Sequence, residues 1–241
     1  ERSLADLVRR CEQMQSARGF RDRLAMDAPQ AIAVISEIKR KSPSKGLLRA
    51  DLDPQLLADA YQAGGASCLS VLTDEDFFAG SIEDLQIAAA VCTLPVLRKD
   101  FTVSAHDVCD TRLMGADCVL LIAAALDPHE LKDLHHLATS IGLDVLVEIH
   151  DEAELEVALS AGALLIGVNQ RDLVTFEVDH RRALRMAELI PSGVLRVAES
   201  GVRGPADALA LHQAGYHAVL VGESLVTADD PTGAVRALRN L

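Results

Sequence analysis

The sequence predicts an α/β fold in which eight parallel strands alternate with helices and close into one (β/α)₈ barrel, a TIM barrel. Eight short apolar runs recur along the chain, and stretches with helical apolar spacing separate them. Gly64, Gly115, Gly162 and Gly215 each end a helical pattern and lead directly into a strand-like run. Glycine just past a helix end is the usual left-handed cap. Alternation alone also fits an open doubly wound sheet, but eight strands without a G-x-G-x-x-G turn favour the closed barrel.

Each element follows from its own stretch of sequence. The strands are expected at residues 31–38, 67–72, 95–98, 118–122, 145–149, 164–168, 194–198 and 218–221. Helices are expected between them, among others at 54–63, 81–90, 128–141, 152–161 and 205–214. Residues 1–29 are interpreted as an N-terminal helical extension that caps one end of the barrel, which spans 30–241. No linker or shift in composition divides the chain, so one domain is expected over residues 1–241.

Composition narrows the classes of function. Apolar residues make up 49% of the 241 residues and aromatic residues 3%, so the core is aliphatic, as in strands buried on both faces. The net charge of −13 disfavours a nucleic-acid partner. Five widely spaced cysteines without metal-ligand spacing indicate neither a disulfide framework nor a zinc site. Without a signal-peptide pattern or a long apolar run, a cytoplasmic protein with no membrane partner is expected.

Polar residues end six of the apolar runs. In a barrel of this type the loops after the strands gather at one mouth, where active sites lie. Any single one of these residues could instead be a buried ion-pair partner or a loop charge. Two lysines and three glutamates that converge on one mouth nevertheless predict acid–base chemistry. The strand-end residues are Glu37 and Lys39, Lys99 and Asp100, Glu148, Asn169 and Arg171, Glu199 and Ser200, and Gly222 to Ser224.

Glycine, serine and lysine after particular strands predict a phosphate site. Residues 42–46, SPSKG, follow the first strand, and Ser200-Gly201 and Gly222-Glu223 follow the last two, where barrels commonly bind phosphate through backbone N–H groups. The Glu223 carboxylate must then point away from the anion. Tight turns are the alternative explanation of these glycines. Five basic residues within residues 39–49 also suggest a small anionic ligand, or else a solvated basic loop: Lys39, Arg40, Lys41, Lys45 and Arg49.

Two further groups follow the second and third strands. Asp74, Glu75 and Asp76 are interpreted as a solvated loop, because nothing supplies the remaining ligands of a metal site. The three phenylalanines there leave two interpretations open, a lid on the core or an apolar wall for an aromatic substrate: Phe77, Phe78 and Phe101.

Several stretches together resemble the indole-3-glycerol-phosphate synthase family of tryptophan biosynthesis. They occur in the family's order, reach all eight predicted strands and cover roughly residues 30–225. EIKRKSPSKG together with RKDF and NQRDL is the most specific part of the resemblance. The matching stretches are ISEIKRKSPSKG, VLTDEDFFAGS, PVLRKDF, ADCVLLI, LVEIHDEAEL, IGVNQRDLVTFEVD, AESGV and VGESL.

The resemblance implies a reaction and roles for the matching residues. The small phosphorylated substrate is 1-(2-carboxyphenylamino)-1-deoxyribulose 5-phosphate, which closes to indole-3-glycerol phosphate with loss of CO₂ and water, without a cofactor or metal. Lys99 is the expected general acid and Glu148 the partner in proton transfer, while Glu37 and Lys39 form a supporting pair. Burial and nearby Lys39 are expected to lower the pKa of Lys99.

The remaining matched residues are expected to bind the substrate. Asn169, Arg171, Glu199 and Ser200 are expected to hold its polar substituents and the network around them. Ser42, Gly201, Gly222 and Glu223, the last through its backbone, are expected around the phosphate. The apolar pocket for the aromatic ring is expected from Phe78, Phe101, Leu120 and Leu173. No obligate protein partner is inferred.

Two rival interpretations fit the sequence less well. A phosphoribosylanthranilate isomerase would be expected to carry a Cys/Asp acid–base pair at strand ends, whereas Cys68 and Cys118 fall within predicted strands. A catalytically silent barrel that serves as a scaffold would be expected to have lost charged residues at its mouth, and none is missing.

Overall fold

The computed structural model describes residues 2–172 and 174–240. Two helices precede the first strand, α1 (Leu4–Glu12) and α2 (Phe20–Asp27). The first half continues with β1 (Ala33–Ile38), β2 (Lys41–Ser42), β3 (Gly46–Leu47), α3 (Pro54–Gly64), β4 (Cys68–Leu72), α4 (Ile82–Val91), β5 (Val96–Lys99) and α5 (Ala105–Leu113). The second half contains β6 (Cys118–Ile122), α6 (Pro128–Ser140), β7 (Asp144–Ile149), α7 (Glu152–Ser160), β8 (Leu165–Asn169), α8 (Arg182–Ala187), β9 (Leu195–Glu199), α9 (Pro205–Gln213), β10 (Ala218–Val221), α10 (Glu223–Val226) and α11 (Pro231–Arg239).

Eight of the strands form a closed barrel in the order β1-β10-β9-β8-β7-β6-β5-β4, and every neighbouring pair is parallel. β1 closes the ring, because Ile35 is in register with Cys68 on one side and with Leu220 on the other. The predicted fold class, a (β/α)₈ barrel, is confirmed. Closure leaves no barrel edge strand and brings the carboxyl ends of all eight strands to one mouth.

Two layers of apolar side chains hold the barrel together. One fills its interior, where Leu97, Leu120 and Leu146 pack with neighbours from the other strands. The other lies between the strands and the surrounding helices. Fully buried Phe20 and Leu24 of α2 belong to the interior layer. The Phe20 carbonyl accepts from Cys68 Sγ at the first residue of β4, so α2 covers the amino ends of the strands.

The helices begin where their sequences provide side-chain caps. Asp53 accepts from backbone N–H groups at the start of α3, Ser81 does so at α4, and Asp151 at α7. Asp127 and Glu130 form a reciprocal capping box at α6. Such caps satisfy N–H groups that a helix leaves unpaired, and each contributes about 1 kcal/mol.

Two local expectations differ from the structure. Gly64 is not the left-handed cap of α3: it is the last helical residue, and neighbouring Gly65 adopts the positive φ of 91°. Gly64 is needed for another reason, since a Cβ there would lie 2.7 Å from the carbonyl oxygen of Thr232 in α11. The short antiparallel hairpin of β2 and β3 after the first barrel strand was not predicted. None of the described helices is long and apolar enough to span a bilayer.

Candidate active site

A cavity of about 920 Å³ opens at the carboxyl ends of the barrel strands. Every predicted site residue that the structure describes lines it; Leu173 lies outside the described residues. The ionisable side chains at its floor come from β5, β7, β9 and the end of β1. The lining residues predicted from the sequence are Glu37, Lys39, Ser42, Phe78, Lys99, Phe101, Leu120, Glu148, Asn169, Arg171, Glu199, Ser200, Gly201, Gly222 and Glu223.

Lys99 lies between two buried carboxylates. Its Nζ atom donates to Glu148 Oε2 at 2.7 Å and to Glu199 Oε2 at 2.8 Å. Both carboxylate side chains are only 2% exposed, and that of Lys99 is 14% exposed. Asn169 Nδ2 donates to the other oxygen of Glu148 at 3.0 Å. The side chains are therefore held in one network, and Lys99 still reaches the cavity.

This network shifts the pKa of each member. Burial alone would lower the pKa of Lys99, but the negative charges of Glu148, Glu199 and Glu37 outweigh burial and raise it. The expectation that the Lys99 pKa is lowered is therefore wrong: three carboxylates surround the ammonium, whereas Lys39 is neutralised by its own partner. Burial opposes ionisation of Glu148, yet Lys99 and Asn169 hold its pKa below the ordinary value. Burial and the charge of Glu148 raise the pKa of Glu199 to about 7.

Glu37 and Lys39 form an ion pair at the end of β1. They lie two residues apart in the sequence, and their side chains share the face that points to the cavity. Gly222, after β10, leaves the space that this pair occupies: a Cβ there would overlap Glu37 Oε1 and lie 3.1 Å from Lys39 Nζ. The Tyr61 hydroxyl of α3 donates to the Glu37 carbonyl at 3.2 Å and supports the strand from behind.

The segment after β9 has an unusual backbone. Ser200 has φ of 65° and Gly201 has φ of 74°, two consecutive residues in the left-handed region. A non-glycine residue is rarely found there unless its surroundings hold it. The Gln170 side chain supplies such a contact, because its Nε2 donates to the Ser200 carbonyl at 2.8 Å. A Cβ at Gly201 would lie 2.7 Å from Val178 Cγ1, so glycine also allows the next loop to approach.

The residues predicted for phosphate lie on one side of the cavity. Ser42 Oγ is buried and has no hydrogen-bond partner among the described residues. The Glu223 side chain is 46% exposed, and its Oε1 lies 3.8 Å from Lys45 Nζ above the cavity. The five basic residues of 39–49 do not form one patch, because Arg40 pairs with Asp84 of α4 and Arg49 donates to the Val226 carbonyl. Of the five, Lys39 and Lys45 line the cavity.

Aromatic and aliphatic side chains line another part of the cavity. Phe78 and Phe101 line it, as does Leu120, which is 2% exposed. Phe77 stands outside the cavity lining and packs edge-on against Phe101 with ring centroids 6.3 Å apart. Phe78 and Phe101 therefore line the cavity, and Phe77 contacts Phe101 from outside it. The two interpretations, a lid on the core and an apolar wall for an aromatic substrate, stay predictions.

Sequence reasoning missed four residues that hold the network in place. Gly167 of β8 faces Glu199, and a Cβ there would overlap the carboxylate. His150 lies between Glu148 and Glu154, with Nδ1 3.1 Å from Glu154 Oε2. Arg182 donates to the Asn169 carbonyl at 2.9 Å, and Gln170 supports Ser200. The sequence held signals for two of these residues. Gly167 is a glycine within an apolar strand, and His150 is a histidine two positions after Glu148.

The remaining polar and cysteine residues can be placed as well. Asp74 Oδ1 accepts from the backbone N–H groups of Phe77 and Phe78, so it stabilises a turn, while Glu75 and Asp76 are exposed. Within residues 2–172 and 174–240, no three His, Cys, Asp or Glu side chains are grouped to hold a metal ion. All five cysteines are buried free thiols, and Cys68 and Cys118 lie inside strands rather than at the mouth.

The fold and the cavity define a class of protein: a (β/α)₈-barrel enzyme with a lysine–carboxylate centre at the carboxyl ends of its strands. The model of the indole-3-glycerol phosphate synthase family matches residues 1–238. The chain belongs to this family.

Individual relatives agree with the family match. An indole-3-glycerol phosphate synthase of Bordetella pertussis is 47% identical over 95% of this chain and 88% of its own length. One of Polaromonas naphthalenivorans is 52% identical over 86% of this chain and 78% of its own length.

Solved structures share the fold at much lower identity. A thiamine phosphate pyrophosphorylase from Pyrococcus furiosus has a TM-score of 0.65 at 14% identity and covers 88% of this chain and 95% of its own. A 3-hexulose-6-phosphate synthase from Salmonella typhimurium has a TM-score of 0.69 at 15% identity and covers 86% of this chain and 96% of its own. At such identities the similarity concerns the barrel alone.

Proposed function

We propose that this chain is an indole-3-glycerol phosphate synthase, a carboxy-lyase that converts 1-(2-carboxyphenylamino)-1-deoxyribulose 5-phosphate to indole-3-glycerol phosphate, CO₂ and water. The observation that carries the proposal is the position of Lys99 Nζ, 2.7 Å from Glu148 and 2.8 Å from Glu199 at the cavity floor. Membership of the family supports the same substrate and product. We also propose that the whole chain acts as one domain in the cytoplasm, without a nucleic-acid or membrane partner.

Ring closure needs a proton donor beside the substrate carbonyl. The aromatic carbon that bears the carboxylate bonds to the carbonyl carbon, and the carbonyl oxygen takes a proton. Lys99 is the donor in this proposal, because its raised pKa keeps it protonated at neutral pH. A cation at this position also stabilises negative charge that develops on the oxygen. Loss of CO₂ then restores the aromatic ring.

Dehydration needs an acid and a base. The new hydroxyl leaves as water with one proton, and the neighbouring carbon loses another as the double bond of the indole forms. Glu148 serves as the base, since its lowered pKa keeps it ionised at neutral pH. Lys39, which pairs with Glu37 and lines the cavity, supplies the proton that leaves with the hydroxyl. Glu199 holds Lys99 from the other side.

The substrate is oriented by the two walls of the cavity. Ser42, Gly201, Gly222 and the Glu223 backbone bind the phosphate, which would supply the buried Ser42 hydroxyl with a partner. Phe78, Phe101 and Leu120 contact the aromatic ring, with Leu173 proposed from its sequence match alone. Asn169, Arg171 and Ser200 orient the remaining polar substituents.

Replacing Lys99 tests the proposed function. The purified protein should convert the carboxyphenylamino substrate with the appearance of indole fluorescence. Lys99→Ala should lower kcat by at least about 100-fold, since general acids typically contribute 10²–10⁴. Lys132→Ala, which removes an exposed lysine of α6, is the matched control and should retain wild-type turnover. Circular dichroism should show the same fold in both variants. Near-normal kcat in Lys99→Ala would refute its role as the acid.

A further inference from the structure

His150 connects the candidate catalytic carboxylate Glu148 to a second carboxylate outside the cavity. It directly follows β7, two residues after Glu148, and its side chain is 11% exposed. Its Nδ1 lies 3.1 Å from Glu154 Oε2 of α7, and the same oxygen accepts the His150 backbone N–H at 2.7 Å. Two contacts to one carboxylate oxygen therefore fix both the backbone and the plane of the ring.

The other ring nitrogen faces Glu148. Nε2 lies 3.6 Å from Glu148 Oε1, is buried and has no closer hydrogen-bond partner among the described residues. An ionised carboxylate only accepts hydrogen bonds, so a neutral imidazole would direct a lone pair at one of the two glutamates. The doubly protonated ring offers a donor to each. The position between Glu148 and Glu154 thus favours the imidazolium form.

The charged groups around the ring agree with this form. Burial opposes the charge on His150, but the hydrogen bond to Glu154 and the charges of Glu148 and Glu154 outweigh burial and raise the His150 pKa. Arg182, from α8, acts in the opposite direction. Glu148 from β7, Glu154 from α7 and Arg182 are the charged groups that act on the ring.

We propose that His150 is a positioning residue, which is anchored by Glu154 and orients the Glu148 carboxylate through Nε2. The inference rests on the proposed function, because its consequence appears when Lys99 gives up its proton. Neutral Lys99 no longer provides Glu148 with a counter-charge, so Glu148 would take up a proton more readily and cease to be available as the base. Asn169 is neutral and cannot replace that charge. His150 remains as the cation that keeps Glu148 ionised until the dehydration step.

Kinetics of two variants separate this role from simple packing. His150→Leu should lower kcat about 10-fold or more and change KM by less than about threefold, because the residue does not line the cavity. Loss of the cation raises the Glu148 pKa, so the acidic limb of the kcat–pH profile should move upward by about one unit. His150→Gln keeps a neutral hydrogen-bond donor. It should therefore recover part of the kcat lost in His150→Leu, while the acidic limb of its kcat–pH profile stays at the raised pH. An unchanged kcat and limb in His150→Leu would overturn the proposal.

A matched control and a spectroscopic readout complete the test. His212→Gln, at the C-terminal end of α9, should behave as the wild type. In an NMR titration of ¹⁵N-histidine-labelled protein, the His150 pKa should fall in Glu148→Gln and in Glu154→Gln relative to the wild type. The same His150 pKa in the wild type, Glu148→Gln and Glu154→Gln would overturn the proposed contacts of His150 with the two glutamates. This readout needs no turnover, so an inactive wild type would refute the proposed function while NMR still decides the role of His150.

Discussion

Single residues at the cavity floor show how tightly its charges are packed. Gly167 lies in the middle of β8, where glycine weakens a strand unless something needs the space. The Glu199 carboxylate takes that space on its way to Lys99. The glycine is therefore part of the arrangement of the lysine and its two carboxylates, although it carries no functional group.

Gly167→Ala should displace the Glu199 carboxylate and weaken its contact with Lys99. We expect kcat to fall and the free energy of unfolding to drop by about 1–3 kcal/mol, the usual cost of overpacking a core. Steady-state kinetics and thermal unfolding measure the two effects. Gly204→Ala is the control, because nothing lies within 4 Å of a Cβ there and its φ is 174°. If Gly167→Ala and Gly204→Ala behaved alike, the space left by Gly167 would have no role.

The residues of the candidate site were more predictable than their electrostatics. Lys99 and Glu148 end apolar runs, and that position alone places them at the mouth of a barrel. The direction of the Lys99 pKa shift depends on which charges lie within a few ångströms, and sequence order does not contain those distances. For the same reason the direct contact of Glu199 with Lys99 was not specified in advance, although Glu199 was expected in the polar network around the substrate and does line the cavity.

At the scale of secondary-structure elements, the sequence predicted the positions of the strands better than the structure of the segments that connect them. Each of the eight barrel strands lies within two residues of its predicted bounds, because an apolar run flanked by glycine or helix signals is distinctive. The hairpin of β2 and β3 was missed, since two residues per strand produce no periodicity. Gly64 and Gly65 are adjacent, and only the packing of α3 against α11 decides which of them ends the helix.

Helix α2 provides a test at this scale, because Phe20 fills the amino end of the barrel. Phe20→Ala removes a fully buried side chain and should lower the free energy of unfolding by about 3–5 kcal/mol. Turnover per folded molecule should stay near normal, since the cavity lies at the opposite end. Met26→Ala on the same helix is the control, as Met26 is 70% exposed and its loss should change stability by less than about 0.5 kcal/mol. Equal unfolding temperatures for the two variants would contradict this role of Phe20.

At the scale of the whole molecule, buried charge at the cavity lowers stability. Burial and Glu148 raise the pKa of Glu199 from its ordinary value of 4.5 to about 7. Between these values the folded chain keeps a proton that the unfolded chain has released. The contribution of Glu199 to the free energy of unfolding therefore falls as the pH rises through this window. Above about pH 7 the destabilisation by the buried carboxylate has reached its full size.

Glu199→Gln should remove this cost. Its unfolding temperature relative to the wild type should rise from pH 5 to pH 8, even though its activity is expected to fall. Glu156→Gln, which changes an exposed glutamate of α7, should show no such trend. A difference between Glu199→Gln and the wild type that stayed constant across the range would mean that Glu199 ionises normally. Thermal unfolding of the wild type and both variants at several pH values between 5 and 8 measures this difference in unfolding temperature.

In their order around the barrel, strands that supply a charged side chain to the cavity alternate with strands that supply an uncharged one. Within the strands themselves, β1, β5, β7 and β9 supply the charged side chains of the cavity, Glu37, Lys99, Glu148 and Glu199. The intervening β4, β6, β8 and β10 supply uncharged ones: leucine, isoleucine, valine and asparagine. The side chains proposed to transfer or hold protons and the side chains that shape the cavity thus lie on alternate strands of the barrel. Substitutions at the apolar positions of the second set, Leu72, Leu120, Ile122 and Leu220, can change which molecule fits while the charges of the first set stay in place. Asn169 is the exception, because it donates to Glu148. The apolar positions therefore give such a barrel a route to new substrates without a change in its chemistry.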